Sequence, residues 1–544
     1  MNAFIQILEQ LVLAIPTNVW PLQRFYPYPT APEAPLKVFD ACVFKQDAGG
    51  AIGIAWLKCH GHPHLLTFPF RIARYSQDGD LISLPPWSLR ESTADPQFYS
   101  TWMHLAATAG KLPTFRGGAL ACRQFEAQSS FNIINLWTDS KNTCTRVETQ
   151  HLCKIFRLIS PDQPFSMEAE ILEYLNGQNH FLQHPELTGR YEFYPAHTDG
   201  PGLPVAIVTR YIQSDAKLWQ ELTATIQHAR YPDPLKERSS RLSWYSITET
   251  ASKLGRLMAE FHVAMTNCKK NPLLTPETNT GEAKEKWLDK LLLKLNERIY
   301  FLRNHAQTLA ITPQQISEIA DFSHNLFEKI KSADHLGLLI RIHGHAHLGQ
   351  VLIGDDALFL VNYETDSLDE EDYRIQKQSC LKDLVGMIVS LKFAWLTTER
   401  NRDFPVFGDL LSPESDYGRH VKRGVKNFAQ PKRYQPTLIE LENTFVRSYL
   451  QSISEDAASI ELLPEKRSDL ENLYDFSFLL RILKETVRDL GNQNPRSKTD
   501  SRILCDFIAG RLTRPNFESF YTDPMGSSLS SPSEAPYGTD ADFS

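Results

Sequence analysis

Between residues 36 and 135 apolar and polar positions alternate in short runs, LKVFDACVF, AIGIAWLKCHG, HLLTFPFRIARY and GALACRQF, separated by the turn signals DAGG and QDGD. A period of two broken by glycine and aspartate predicts an antiparallel, β-rich segment. Ahead of it, MNAFIQILEQLVLAIPTNVWPL has no basic leader, and Gln6, Glu9 and Gln10 interrupt its apolar run at helical spacing. That pattern predicts an amphipathic helix and not a signal peptide. SFNIINLWTDSKNTCTRVETQHLCKIFRL then reads as strand, turn and strand, followed by a helix in MEAEILEYLNG that stops at a glycine. After PVAIVTRYIQSDAKLW (204–219) the period changes. SITETASKLGRLMAEFHVAM, KWLDKLLLKLNERIYFLRNHAQTL and QQISEIADFSHNLFEKIKSA place apolar residues every three and four positions, as do the later CLKDLVGMIVSLKFAW and TLIELENTFVRSYLQSI. A helical lobe follows the β-rich one. From Asp523 the chain is small, polar and acidic without a period, which predicts a disordered tail.

Composition narrows the class. A chain of 544 residues exceeds one ordinary core and calls for three or four compact units. Hydrophobic content of 42% against 22% charged is enough to bury those cores. The net charge is −8 with lysine and arginine spread along the chain, which argues against a nucleic-acid partner. No run approaches the ~18 uninterrupted apolar residues of a membrane span. Eight cysteines without CxxC spacing suggest neither a zinc ribbon nor a disulfide framework, and the expected location is cytoplasmic.

The chemistry gathers in RIHGHAHLGQVLIG (341–354), where His343, His345 and His347 alternate ahead of an apolar stretch that leads into NYETDS, from Asn362. Three imidazoles on one face of an extended segment form a candidate metal site, and CHGHPHLL repeats the pattern at His60, His62 and His64, with Pro63 spoiling a regular strand. Lys154 on a predicted strand and Glu170 on the next helix read either as an ordinary ion pair or as a phosphate-holding pair. Glu364 and Asp366 read as solvated acids continuing the run DSLDEED, or as metal ligands.

A strand lysine, a helix glutamate and then an HGxxH loop followed by a strand and an acidic turn resemble, in that order, the protein-kinase-like phosphotransferases. More narrowly the chain resembles the maltokinases, which phosphorylate maltose with ATP, collinearly from about residue 130 to 400. TDSKNTCTRVETQHLCKIFR is similar to that family's GEQSNTS loop and LKLFR strand, LGRLMAEFHVAM to LGRRTAELHLAL, and KQSCLKDLVGMIVSLKFA to KSPLRDVAGMLRSFDYA. The resemblance implies that Lys154 holds ATP phosphates with Glu170 as its helix partner, and that Asn142 and Thr143 keep the family's turn residues. It makes His343 a structural histidine beneath the loop. Glu260, His262 and Asp383, polar residues on helices, read as fold-supporting more often than as catalytic.

Two departures fall on the carboxylates that phosphotransfer needs most. The family's HGDLHLGQVL is HGHAHLGQVL here, so His345 stands where an aspartate orients the sugar hydroxyl and accepts its proton. Its DFEGEP is NYETDS here, so Asn362 stands where an aspartate binds magnesium, while Glu364 is kept. A neutral amide offers a hard cation one carbonyl oxygen and no compensating charge. An imidazole of ordinary pKa near ~6.5 can accept a proton at pH 7, but with a different reach from a carboxylate.

The expectation is an α+β, bilobal, protein-kinase-like fold with an N-terminal β-rich cap of maltokinase type. Its divisions are a cap at 1–130, an N-lobe at 131–215, a helical C-lobe at 216–522 and a tail at 523–544. The expected function is that of a maltokinase-like pseudokinase of trehalose, maltose or α-glucan metabolism, with nucleotide and sugar as ligands and an enzyme of that metabolism as partner. One alternative is an active maltokinase forming maltose 1-phosphate with ATP and Mg2+, in which Lys154 holds phosphate, Gln350, Asn362 and Glu364 form the metal site and His345 is the base. The other is a histidine-rich metal-binding protein.

Overall fold

The computed structural model describes residues 2–28, 30–76, 78–123, 133–138, 142–147, 150–178, 181–198, 200–214, 216–230, 244–354, 357–364, 375–397, 438–456, 461–491, 493–494, 497–510, 512, 514–518 and 521. The acidic run at 366–372 and the tail from 523 lie outside them, as do Ser140 and Lys141. The chain divides into two compact units, one made of 1–220, 268–274 and 343–376, the other of 221–267, 275–342 and 377–544.

The first unit opens with the expected amphipathic helix, α1 (Asn2–Ala14), whose Ile5, Leu8, Leu11 and Val12 are buried at spacings of three, three and one. They join one core with Val38, Ala55, Leu57, Phe68 and Phe70 of a sheet formed by β1 (Lys37–Asp47), β2 (Gly50–Lys58), β3 (Leu65–Ala73), β4 (Ile82–Leu84) and β5 (Trp87–Glu91), paired in the order β1-β2-β3-β5-β4. The β-rich reading of this region missed one element, helix α2 (Pro96–Ala109). Its aromatic residues Phe98, Tyr99 and Trp102 are all buried, so its apolar face reads as strand-like from composition alone.

A second sheet follows from β6 (Lys111–Pro113), β7 (Ala119–Arg123), β8 (Ile133–Thr138), β9 (Asn142–Val147) and β10 (His151–Phe156). The short β11 (Leu158–Ile159) leaves it to pair with β3, so the two sheets are joined immediately after the lysine strand. Helix α3 (Met167–Asn176), β12 (Leu187–Tyr194) and β13 (Leu203–Arg210) complete the order β6-β7-β12-β13-β10-β9-β8. Because side chains alternate across a strand, this sheet has two distinct faces. On one, Thr145 Oγ1 lies 2.7 Å from Tyr99 Oη, Tyr191 packs on Trp102 and Phe193 stacks on Trp56 at 3.6 Å. The other carries Asn142, Cys144 and Lys154, with Cys144 directly opposite Lys154 in the β9–β10 register.

The second unit contains helices α5 (Trp244–Thr266), α6 (Gly281–Asn304), the single turn α7 (Ala306–Leu309) and α8 (Pro313–Ser332), all after α4 (Leu218–Arg230), and the two-residue strands β14 (Glu277–Thr278) and β15 (Leu338–Leu339). The chain then returns to the first unit for the histidine loop and a hairpin of β16 (Val351–Ile353) and β17 (Leu358–Leu360). Backbone bonds from Ile353 N–H to Ala216 O and from Leu360 N–H to Gln183 O anchor that hairpin. Helices α9 (Leu381–Thr397), α10 (Leu438–Ser454), α11 (Arg467–Gly491) and α12 (Ser497–Ile508) finish the second unit. Gly255 allows α5 and α10 to touch, since a Cβ there would stand 2.3 Å from Phe445 O. His262 is buried between Tyr449 Oη at 2.8 Å and Asp383 Oδ2 at 3.3 Å, the supporting role expected of it. Among the described residues no helix is long and apolar enough to cross a membrane.

Candidate functional site

Lys154 occupies the middle of β10 between β9 and β13, on the face that looks toward α3. Its residue is 6% exposed, so its ammonium must find partners within the protein. Nζ donates to Glu168 Oε2 at 2.7 Å and to Asn362 Oδ1 at 2.9 Å, and lies 3.4 Å from Glu364 Oε2. Burial acts to lower the lysine pKa, but the carboxylates of Glu168 and Glu364 outweigh it and raise the value above that of a free lysine. Burial also raises the Glu168 pKa, with Lys154 opposing and Glu364 reinforcing.

The helix partner of Lys154 is therefore Glu168, which corrects the expectation of Glu170. Ser166 caps α3 by accepting from Ala169 N–H, which fixes the phase of the helix. Glu168 then shares the apolar stripe of Ile171, Leu172 and Leu175, all buried, while Glu170 lies two residues and about 200° further round. Glu170 bonds instead to Arg190 Nη2 at 2.8 Å and accepts from Asn271 Nδ2 at 2.8 Å. The signal was present in the sequence as an acid on the i, i+3, i+4, i+7 stripe of a short helix.

Of the two turn residues, the structure brings only Asn142 to Lys154. Asn142 Nδ2 donates to Glu364 Oε2 at 2.8 Å, the same oxygen that Lys154 approaches. Thr143 points to the opposite face, where its hydroxyl accepts from Arg157 Nε at 2.9 Å and Nη2 at 2.7 Å. Strand alternation separates the pair, so Thr143 has no side-chain route to a ligand at Lys154. Arg157 was not among the expected residues. Its guanidinium is fully buried and also reaches Glu91 Oε1 at 2.8 Å, Thr93 Oγ1 at 3.3 Å and Thr67 O at 3.4 Å, tying β9 to β3, β5 and the segment after β5.

The loop from His343 to Gln350 is held by its own histidines. His343 Nδ1 accepts from His345 N–H at 3.3 Å, which leaves Nε2 as the protonated nitrogen facing Val361 O at 3.1 Å. Gly344 takes φ +77°, the left-handed region, to turn the chain between them. His347 Nδ1 accepts from Gly349 N–H at 3.0 Å, and its ring meets that of half-buried His345 edge-on at 4.7 Å. The Val361 contact fixes the loop against the segment that presents Asn362. Asn362 itself adopts φ +62°, a conformation that asparagine and aspartate tolerate better than most residues.

The structure does not gather these histidines into a set of metal ligands. Two of the three rings spend a nitrogen on loop backbone, and His62 of the earlier cluster stacks on Tyr28 at 3.8 Å while His60 is exposed. Among the described residues no three His, Cys, Asp or Glu gather where an ion could be held.

The residues expected to bind magnesium do converge, but as a chain of hydrogen bonds. Gln350 Oε1 accepts from Asn362 Nδ2 at 3.3 Å, Asn362 Oδ1 accepts from Lys154, and Glu364 Oε2 accepts from Asn142 while facing Lys154. The donor set offered to a cation is thus one carboxylate and two amides beside an ammonium. Mg2+ favours carboxylate oxygens in near-ideal octahedral geometry, and this set does not fit it.

No family model matches the chain. A crystal structure titled glucosamine kinase is similar over 92% of this chain and 98% of its own, with a TM-score of 0.60 and 16% identity. A second, the glucosamine kinase in complex with glucosamine, ADP and inorganic phosphate, is similar over the same shares with a TM-score of 0.57 and 16% identity. These likenesses establish the fold, which is the expected α+β, kinase-like one with a β-rich amino-terminal sheet.

Proposed function

We propose that this chain is a sugar-kinase-like protein in which phosphotransfer is lost or strongly reduced. The observation that carries the reading is the closed set of bonds around Lys154. The acid that would bind magnesium is an amide, and that amide's oxygen is already given to the lysine. The acid that would take the sugar's proton is His345, on a loop held by its neighbouring histidines. Electrostatic stabilisation of a transferring phosphoryl group needs the metal and the base together, and both are altered.

The reading retains the division into a cap at 1–130, an N-lobe at 131–215, a helical C-lobe at 216–522 and a tail from 523. It assigns the chain to maltose, trehalose or α-glucan metabolism in the cytoplasm, as a binding or regulatory companion of an enzyme there. Nucleotide phosphates would meet Lys154 and Asn142. Maltose is the sugar suggested by the sequence motifs, and glucosamine is added as a second test ligand because the similar kinase was solved with it.

The test is restoration. ADP release is followed with ATP, Mg2+ and either sugar, for the native chain and for the His345→Asp, Asn362→Asp double variant. The reading expects sugar-dependent turnover from the double variant and little or none from the native chain. Sugar-dependent turnover by the native chain at a rate equal to or above that of the double variant overturns it in favour of an active kinase with rearranged acids.

A further inference from the structure

Glu364 is engaged here by two donors of its own chain. Its Oε2 accepts a hydrogen bond from the Asn142 side-chain amide at 2.8 Å and stands 3.4 Å from the Lys154 ammonium. Two donors from adjacent strands, one neutral and one charged, converge on a single anionic oxygen, which is how a phosphate oxygen is bound. Glu168 and Asn362 hold Lys154 at 2.7 and 2.9 Å, so Glu364 is the loosest of its three contacts. It is also more accessible than Glu168, with its side chain 32% exposed against 6%.

We propose that Glu364 is a built-in competitor for a phosphate group: a nucleotide polyphosphate binds by displacing it from Asn142 and Lys154, and does so without a divalent metal. The proposal rests on the reading that Lys154 and Asn142 form the nucleotide end of the site. The charges around the lysine explain the metal independence. Lys154, Glu168 and Glu364 sum to one negative charge, and swinging Glu364 out leaves the pair Lys154–Glu168 neutral, with two amides facing the incoming phosphate. An aspartate at 362 would leave a second carboxylate there, and only a cation would then make the phosphate welcome.

The consequence is opposite to that of a metal-ligand role. If Glu364 competes with phosphate, removing its charge tightens nucleotide binding in EDTA; if it holds magnesium, removing it weakens binding of the magnesium complex. Calorimetric titration of ATP, ADP and tripolyphosphate into the full chain, with EDTA and then with Mg2+, separates the two. The expected result is binding by the native chain in EDTA, at least about tenfold tighter for Glu364→Gln, unchanged by Mg2+ and lost in Asn142→Leu. Tripolyphosphate should follow the same order, since the contact is to phosphate and not to the base. In Asn362→Asp, binding should become magnesium-dependent.

Weaker binding by Glu364→Gln, or native binding that requires Mg2+, overturns the proposal, and so does an absence of binding by both forms in every condition. None of those results bears on whether the native chain transfers phosphate, which the turnover assay decides separately. Glu364 is only half-buried and Glu364→Gln keeps its shape, so a circular dichroism melt of the variant separates a binding change from a loss of folding, and Asn142→Ala serves as a second check on the donor pair.

Discussion

Replacing Lys154 by methionine tests how deeply the site is built into the first unit. The side chains of Lys154 and Glu168 are 8% and 6% exposed and lie 2.7 Å apart, so solvent screening is small. Removing one member of such a pair leaves an uncompensated buried charge and costs about 3–5 kcal/mol. For a unit of this size the loss lowers the midpoint of its thermal transition by roughly 10 °C. The deficit also depends on pH. Without the ammonium, burial and Glu364 push the Glu168 carboxyl further above its unfolded value. A carboxyl raised on folding destabilises above its unfolded pKa and is relieved as pH falls through the folded one. The variant should therefore lose more at pH 8 than at pH 5, and Glu168→Leu in the same chain should recover most of the loss. Circular dichroism melts of the three proteins at both pH values provide the assay. A deficit below about 1 kcal/mol, equal at the two pH values, would refute the reasoning by making the pair behave as an exposed one.

Arg157→Met should cost about 3–5 kcal/mol, because it leaves Glu91 without its 2.8 Å partner and releases Thr143, Thr93 and Thr67 together. Urea midpoints measure that loss, and a shift indistinguishable from that of an exposed arginine would count against it. Burial pushes the Asp475 carboxyl up to about 6, with Arg514 opposing, so Asp475→Asn should gain about 2–3 kcal/mol at pH 8 and well under about 1 kcal/mol at pH 4; a melt at each pH checks the sign. Gly255→Ala should destabilise the second unit by about 1–3 kcal/mol, since the new methyl meets Phe445 O, and an unchanged melting point would show that α5 and α10 part more easily than their packing implies.

Much of this architecture is legible in the sequence because its periods are clean. Alternation marks the strands of the first sheet, and intervals of three and four mark α5, α6, α8, α9 and α10. The lysine strand, the following helix and the histidine loop appear in the order that motif resemblance gives them, and His262 and Asp383 are buried supports as expected. What failed was phase. A motif aligned as a string does not register that Glu168 and Glu170 lie on opposite sides of α3, nor that Asn142 and Thr143 lie on opposite faces of β9. Helix α2 escaped because its aromatic residues resemble strand composition. Arg157 escaped because nothing local signals that Glu91, some sixty residues earlier in the chain, returns to pair with it. The shared oxygen of Glu364 is likewise a tertiary fact, made by a loop and a strand 222 positions apart.

The claim that the site is disarmed is tested most directly by phosphorus NMR of the native chain incubated with ATP, Mg2+ and maltose, and again with glucosamine. The account predicts the resonances of ATP alone over a period in which the His345→Asp, Asn362→Asp variant produces a sugar phosphate ester. A sugar phosphate resonance from the native chain, abolished by Lys154→Met, would contradict it.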